Sequence, residues 1–99
     1  MNNYGIAEKS YLLLQEYFTN HKNILKVMIF GSRATNQYRN GSDIDLAIWG
    51  IDIDDIKIKI DLENLQTPYM YDVINYDKLE KEELKKHIDT KGQLFYEKV

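Results

Sequence analysis

Residues 30–49 read FGSRATNQYRNGSDIDLAIW. The apolar run ILKVMIF at residues 24–30 leads into this stretch and stops at Gly31. A nearly unbroken apolar run bounded by turn residues fits a strand buried on both faces. Residues 32–38 suit a short helix with Ser32 near its start. Asn40-Gly41-Ser42 is a turn signal, and residues 43–49 read as a second strand. Side chains alternate along a strand, so Asp43 and Asp45 share one face while Ile44 and Leu46 point into a core on the other.

Upstream, Ile6, Leu13, Leu14, Tyr17 and Phe18 recur at helical spacing and predict an amphipathic helix over residues 5–20. Downstream, residues 51–65 fit two periods. Ile56, Ile58, Ile60 and Leu62 alternate as a strand would, yet Ile53, Ile56 and Ile60 also suit a helix. Length and lysine and glutamate content favour the helix. YMYDVINY at residues 69–76, rich in aromatic and β-branched residues, predicts a third strand. Asp77-Lys78-Leu79-Glu80 has the spacing of a capping box, opening a helix to about residue 89. Gly92 is a helix stop, and residues 93–96 a last short strand. The expected class is α+β: a small mixed sheet of three to four strands with helices packed on it.

Composition bounds the function. Ninety-nine residues make a single domain, residues 1–99. Apolar content of 43% and charged content of 29% fit an ordinary soluble chain rather than a disordered one. A net charge of −3, from 13 basic and 16 acidic residues, supplies no concentrated basic face, so direct nucleic-acid binding is not expected. No apolar run approaches the roughly 20 residues that span a bilayer. The opening MNNYGIAEKS lacks the basic and apolar regions of a signal peptide. The absence of cysteine removes disulfides, thiolate zinc sites and cysteine nucleophiles. A cytoplasmic location is expected.

Two carboxylates held on one strand face repel each other, and a divalent cation relieves that repulsion. Hard oxygen donors suit Mg²⁺ or Mn²⁺, which keep waters and also accept phosphate oxygens. Gly31-Ser32 stands where a buried strand turns into the expected helix. Glycine lets backbone approach a ligand closely, and the free N–H groups of a helix start favour phosphate. A phosphate cradle beside a metal pair describes phosphoryl or nucleotidyl transfer from a nucleoside triphosphate. Transfer with two metals usually needs a third carboxylate, on the nucleophile side. Asp72, between Tyr71 and Val73 in the third strand, is the candidate.

A glycine-serine pair, ten residues, an Asp-x-Asp and a lone aspartate in a later strand resemble the nucleotidyltransferase superfamily of DNA polymerase β and kanamycin nucleotidyltransferase. The fuller GSRA…GSDIDLA string and the YDVI strand are most similar to the minimal nucleotidyltransferases, or MNT proteins. The likeness runs from about residue 24 to the C-terminus. It implies that Gly31 and Ser32 hold the triphosphate, with Arg33 touching phosphate and Ser42 capping or supporting the first aspartate. It implies that Asp43, Asp45 and Asp72 are the catalytic carboxylates and bind two Mg²⁺ ions, or Mn²⁺. Many MNT proteins pair with a HEPN-domain protein as antitoxins, and some transfer AMP from ATP to a tyrosine of that ribonuclease. The loop TNQYRNG departs mildly, lacking the glycine often found soon after GSRA. Such a small chain is expected to complete its site as a homo- or hetero-oligomer.

Two other readings stand beside this one. The chain is a non-catalytic antitoxin that neutralises its partner by binding, or a small-molecule nucleotidyltransferase of aminoglycoside type. Outside the motif, His21 and His87 read as surface residues at helix ends, Arg39 as a solvated loop charge and Tyr38 as packing under the loop. Lys78 to Lys86 reads as a solvated helix face, and Trp49 as core packing before interface.

Overall fold

The structure is a computed structural model and describes residues 3–99; the first two residues of the MNNYGIAEKS stretch lie outside the described residues. ILKVMIF forms β1 (Ile24–Phe30). It pairs antiparallel on one side with β2 (Ile44–Gly50) and on the other with β4 (Gln93–Glu97). Strand β3 (Tyr71–Asn75) lies parallel to β2 and forms the far edge, giving the order β3-β2-β1-β4. Helix α1 (Glu8–Asn20) precedes the sheet, α2 (Asp55–Glu63) crosses from β2 to β3, and α3 (Glu82–Lys91) lies between β3 and β4. No helix among the described residues is long and apolar enough to cross a membrane.

The sheet separates two unequal cores. On one face Val27, Ile29, Ile44, Leu46, Ile48, Tyr71 and Val73 meet Leu14 and Phe18 of α1 and Ile58 and Leu62 of α2. On the other, Phe30 and Ala47 meet Ile88 of α3, with Trp49, Ile74 and Leu84 around them. A register shift between Ile24 and Lys26 changes the strand's parity, so Ile24 joins the same core as Val27 and Ile29 while Leu25 stays exposed.

Two expectations need correction, and a third is met. Residues 32–38 are not a helix: they form hydrogen-bonded turns closed by Ala34 N–H and Thr35 N–H to Gly31 O and by Gln37 N–H to Ser32 O. Only the Thr35 bond has the i+4 spacing of an α-helix, and Asn36, in the left-handed region at φ +62°, stops it from propagating. The capping box at Asp77 does not form. Tyr76–Lys78 is a 3-10 turn capped by Asn75, whose Oδ1 accepts the Asp77 N–H, and α3 begins after Lys81 without a side-chain cap. The segment 51–65 does contain a helix, α2, but a cap not foreseen starts it: Asp54 Oδ1 accepts the Lys57 N–H at 3.1 Å.

Candidate active site

Pairing in the sheet brings the motif together. Asp45 lies opposite Phe30, the last residue of β1, so it sits beside the glycine turn. On its other side it lies opposite Asp72 in the parallel β2–β3 register. Residues in register on adjacent strands point to one face. Asp45 and Asp72 therefore share the face that α3 covers only farther along, at Ala47 and Ile74. Asp43 precedes β2 and is exposed, as is Asp72, whereas Asp45 is half-buried.

The electrostatics follow this placement. Burial, then the negative charges of Asp72 and Asp43, together raise the Asp45 carboxyl to about 6, against the lowering effect of the Arg33 guanidinium. Gly31 explains how the turn comes so close. Its φ of +74° is left-handed, and a Cβ there would run into the Asp45 carboxylate. Glycine permits both the backbone bend and the contact.

The turn leaves donors open. The Ser32 N–H, the Ser32 hydroxyl and the Arg33 N–H donate to no protein group among the described residues. With no helix behind them, they offer local hydrogen bonds rather than a helix dipole. The Gly31 N–H is taken: it donates to His87 Nε2 at 3.0 Å. Sequence reasoning put His87 on the surface and missed this contact, because the partner is a backbone amide 56 residues away and leaves no sequence signature.

Arg33 is not where a phosphate contact was expected. It is 3% exposed, neither a surface charge nor a free ligand. Nε and Nη2 donate to Ser42 O at 3.2 and 2.7 Å, and Nη1 donates to Tyr4 O at 3.0 Å. Tyr38 and Tyr69 flank the guanidinium, with ring centroids 5.2 and 5.1 Å from its carbon. Arg33 thus clamps the loop from within. Ser42 is the other half of the clamp. Its carbonyl accepts Arg33 and its hydroxyl accepts the Arg39 N–H at 2.8 Å, so it acts through the loop.

Among the described residues no three metal-capable side chains already stand at ligating separations. The three aspartates nevertheless offer hard carboxylate oxygens at one sheet end, and after burial the charges of Asp72 and Asp43 are the next causes of the raised Asp45 carboxyl. That donor set fits Mg²⁺ or Mn²⁺, which need only one or two carboxylates when phosphate supplies the rest. A groove of about 630 Å³ lined by Lys81, Glu82, Glu83, Leu84 and His87 opens beside α3.

Residues 13–99 match the family model described as Polymerase beta, Nucleotidyltransferase. No curated protein sequence matches the chain. A toxin–antitoxin structure with AMP-PNP is similar in fold, at TM-score 0.66 and 16% identity over 93% of this chain and 75% of the other. An MntA–HepT toxin–antitoxin structure gives TM-score 0.66 and 16% identity over 93% and 74%. A variant of that pair gives TM-score 0.68 and 20% identity over 94% and 74%. Such identities speak for the fold.

Proposed function

The chain belongs to the polymerase β nucleotidyltransferase family, and from that we propose that it is an antitoxin that transfers AMP from ATP to a tyrosine of a partner HEPN ribonuclease. One observation carries the reading: Asp72 lies in register with Asp45, beside the glycine turn, as transfer with three carboxylates needs. The similarity to toxin–antitoxin structures, one with AMP-PNP, supports the partner class and the nucleotide.

Asp43, Asp45 and Asp72 would hold Mg²⁺ or Mn²⁺. Bound there, the metal offsets phosphate charge and lowers the proton affinity of the attacking hydroxyl. The chain's own groups do the rest. Ser32, through its N–H and hydroxyl, and the Arg33 N–H donate to the triphosphate tail. Arg33 and Ser42 hold the loop that carries these donors. The acceptor hydroxyl forms its bond to the α-phosphorus, the bond from that phosphorus to the bridging oxygen breaks, and pyrophosphate leaves. Asp72 takes the hydroxyl proton. Edge strand β3 leaves Asp72 exposed, so an acceptor on another molecule can reach it. Positioning and charge neutralisation supply most of the rate.

The test uses α-labelled ATP with Mg²⁺ and the partner protein. Label on a partner tyrosine is expected from the wild type and none from the Asp43→Asn/Asp45→Asn double variant. Full neutralisation of the partner by the double variant would move the function to binding alone. Strong transfer to an aminoglycoside without partner would move it to small-molecule modification.

A further inference from the structure

The last helix reaches the site through one side chain. His87 Nε2 accepts the Gly31 N–H at 3.0 Å, and its ring meets Phe30 edge-on at a centroid distance of 6.1 Å. That bond uses the lone pair of Nε2. Ile88, the next residue, is fully buried against Phe30 and Ala47 and fixes α3 to the sheet behind the turn.

Gly31 is where the site tolerates least slack. It is the hinge between β1 and an irregular loop, in a left-handed conformation, with the Asp45 carboxylate against its Cα. A change in its φ or ψ would move the Ser32 N–H and hydroxyl on one side and disturb Asp45 on the other. Backbone contacts in the turn tie down the Gly31 carbonyl, which accepts Ala34 N–H and Thr35 N–H. Among the described residues, only His87 ties down the Gly31 N–H.

We propose that His87 is a positioning residue for the phosphate turn. It holds the Phe30–Gly31 peptide, and so the left-handed bend at Gly31, in the conformation that readies the Ser32 donors and the Asp45 carboxylate before the triphosphate arrives. The role rests on the nucleotidyl-transfer reading above. Preorganisation of this kind lowers the ordering cost of binding. It therefore acts on nucleotide affinity and leaves the chemical step nearly alone.

Two variants separate the acceptor from the ring. His87→Phe keeps the contact with Phe30 and removes the acceptor, and His87→Gln replaces the acceptor with an amide oxygen. His87→Leu serves if the phenylalanine variant melts early. Amide exchange on ¹⁵N-labelled protein reads Gly31 directly, and steady-state transfer to the partner with Mg-ATP reads function. In His87→Phe, Gly31 exchange should accelerate about tenfold, and the nucleotide KM should rise about three- to tenfold with kcat within about twofold. His87→Gln should restore both. A Gly31 amide indifferent to His87→Phe, equal losses in both variants, or a fall in kcat at constant KM would overturn the proposal. A wild type that neither binds nor transfers nucleotide would instead sink the nucleotidyl-transfer reading, and the phosphate role of His87 with it.

Discussion

Neutralising Asp45 should strengthen the fold while it abolishes transfer. The Asp45 carboxyl stands at about 6 in the folded chain against an ordinary 3.8. Between those values the folded chain keeps a proton that the unfolded chain has lost. Asp45 thus contributes stability below its ordinary value, and that contribution disappears as pH rises through the folded one. The full difference corresponds to about 3 kcal/mol, and solvent screening of a half-exposed carboxylate reduces it to about 1 kcal/mol. Urea midpoints should show Asp45→Asn more stable than wild type at pH 7, with the gap closing near pH 4. A gap independent of pH would contradict the assignment. Arg33 gives a second residue-scale prediction. Arg33→Ala strands two backbone carbonyls and should cost about 2–4 kcal/mol without any nucleotide present. A solvent-facing phosphate ligand would change nucleotide binding and leave the urea midpoint within about 0.5 kcal/mol. The aspartates were legible in the sequence because strand period puts them on one face. Arg33 and His87 were not, since both bind main-chain atoms that any residue could supply.

Helix α2 shows why the 51–65 segment read two ways. Ile58 and Leu62 are buried, but Ile56 and Ile60, also one turn apart, are 71% and 53% exposed. With apolar residues on both faces, helical spacing and alternation are satisfied together. Tertiary packing selects the helix, and the Asp54 cap starts it. Ile58→Ala should therefore cost about 2–4 kcal/mol, while Ile56→Lys should stay within about 0.5 kcal/mol; chemical denaturation distinguishes them. Equal effects would mean that α2 packs on both faces. The turn at residues 31–36 makes the complementary point. Its composition permits a helix, but the span from the end of β1 to the start of β2 is set by the antiparallel pairing, and a tighter, irregular path closes it.

At the scale of the whole molecule, β2, α2 and β3 form a crossover that lays β3 parallel to β2 and brings a residue 27 positions along the chain beside Asp45. Asp43 and Asp45 on one side and Asp72 on the other come from segments that share no local signal, so ligand binding should report on the assembled sheet. Mg-ATP at about 100 times its Kd should stabilise the wild type by about 2.7 kcal/mol, and the Asp43→Asn/Asp45→Asn double variant should not respond; thermal melting with and without Mg-ATP measures both. By itself the sequence determined the strands at both ends of the glycine turn, the common face of the carboxylates and the α+β class, because these depend on local period and on the short distance from Gly31 to Asp45. Only the tertiary structure decided the strand order, the buried clamp of Arg33, the anchoring of Gly31 by His87 and the path of the loop. Those depend on contacts between distant backbone and side-chain atoms, and the energy of such contacts exists only once the sheet has closed.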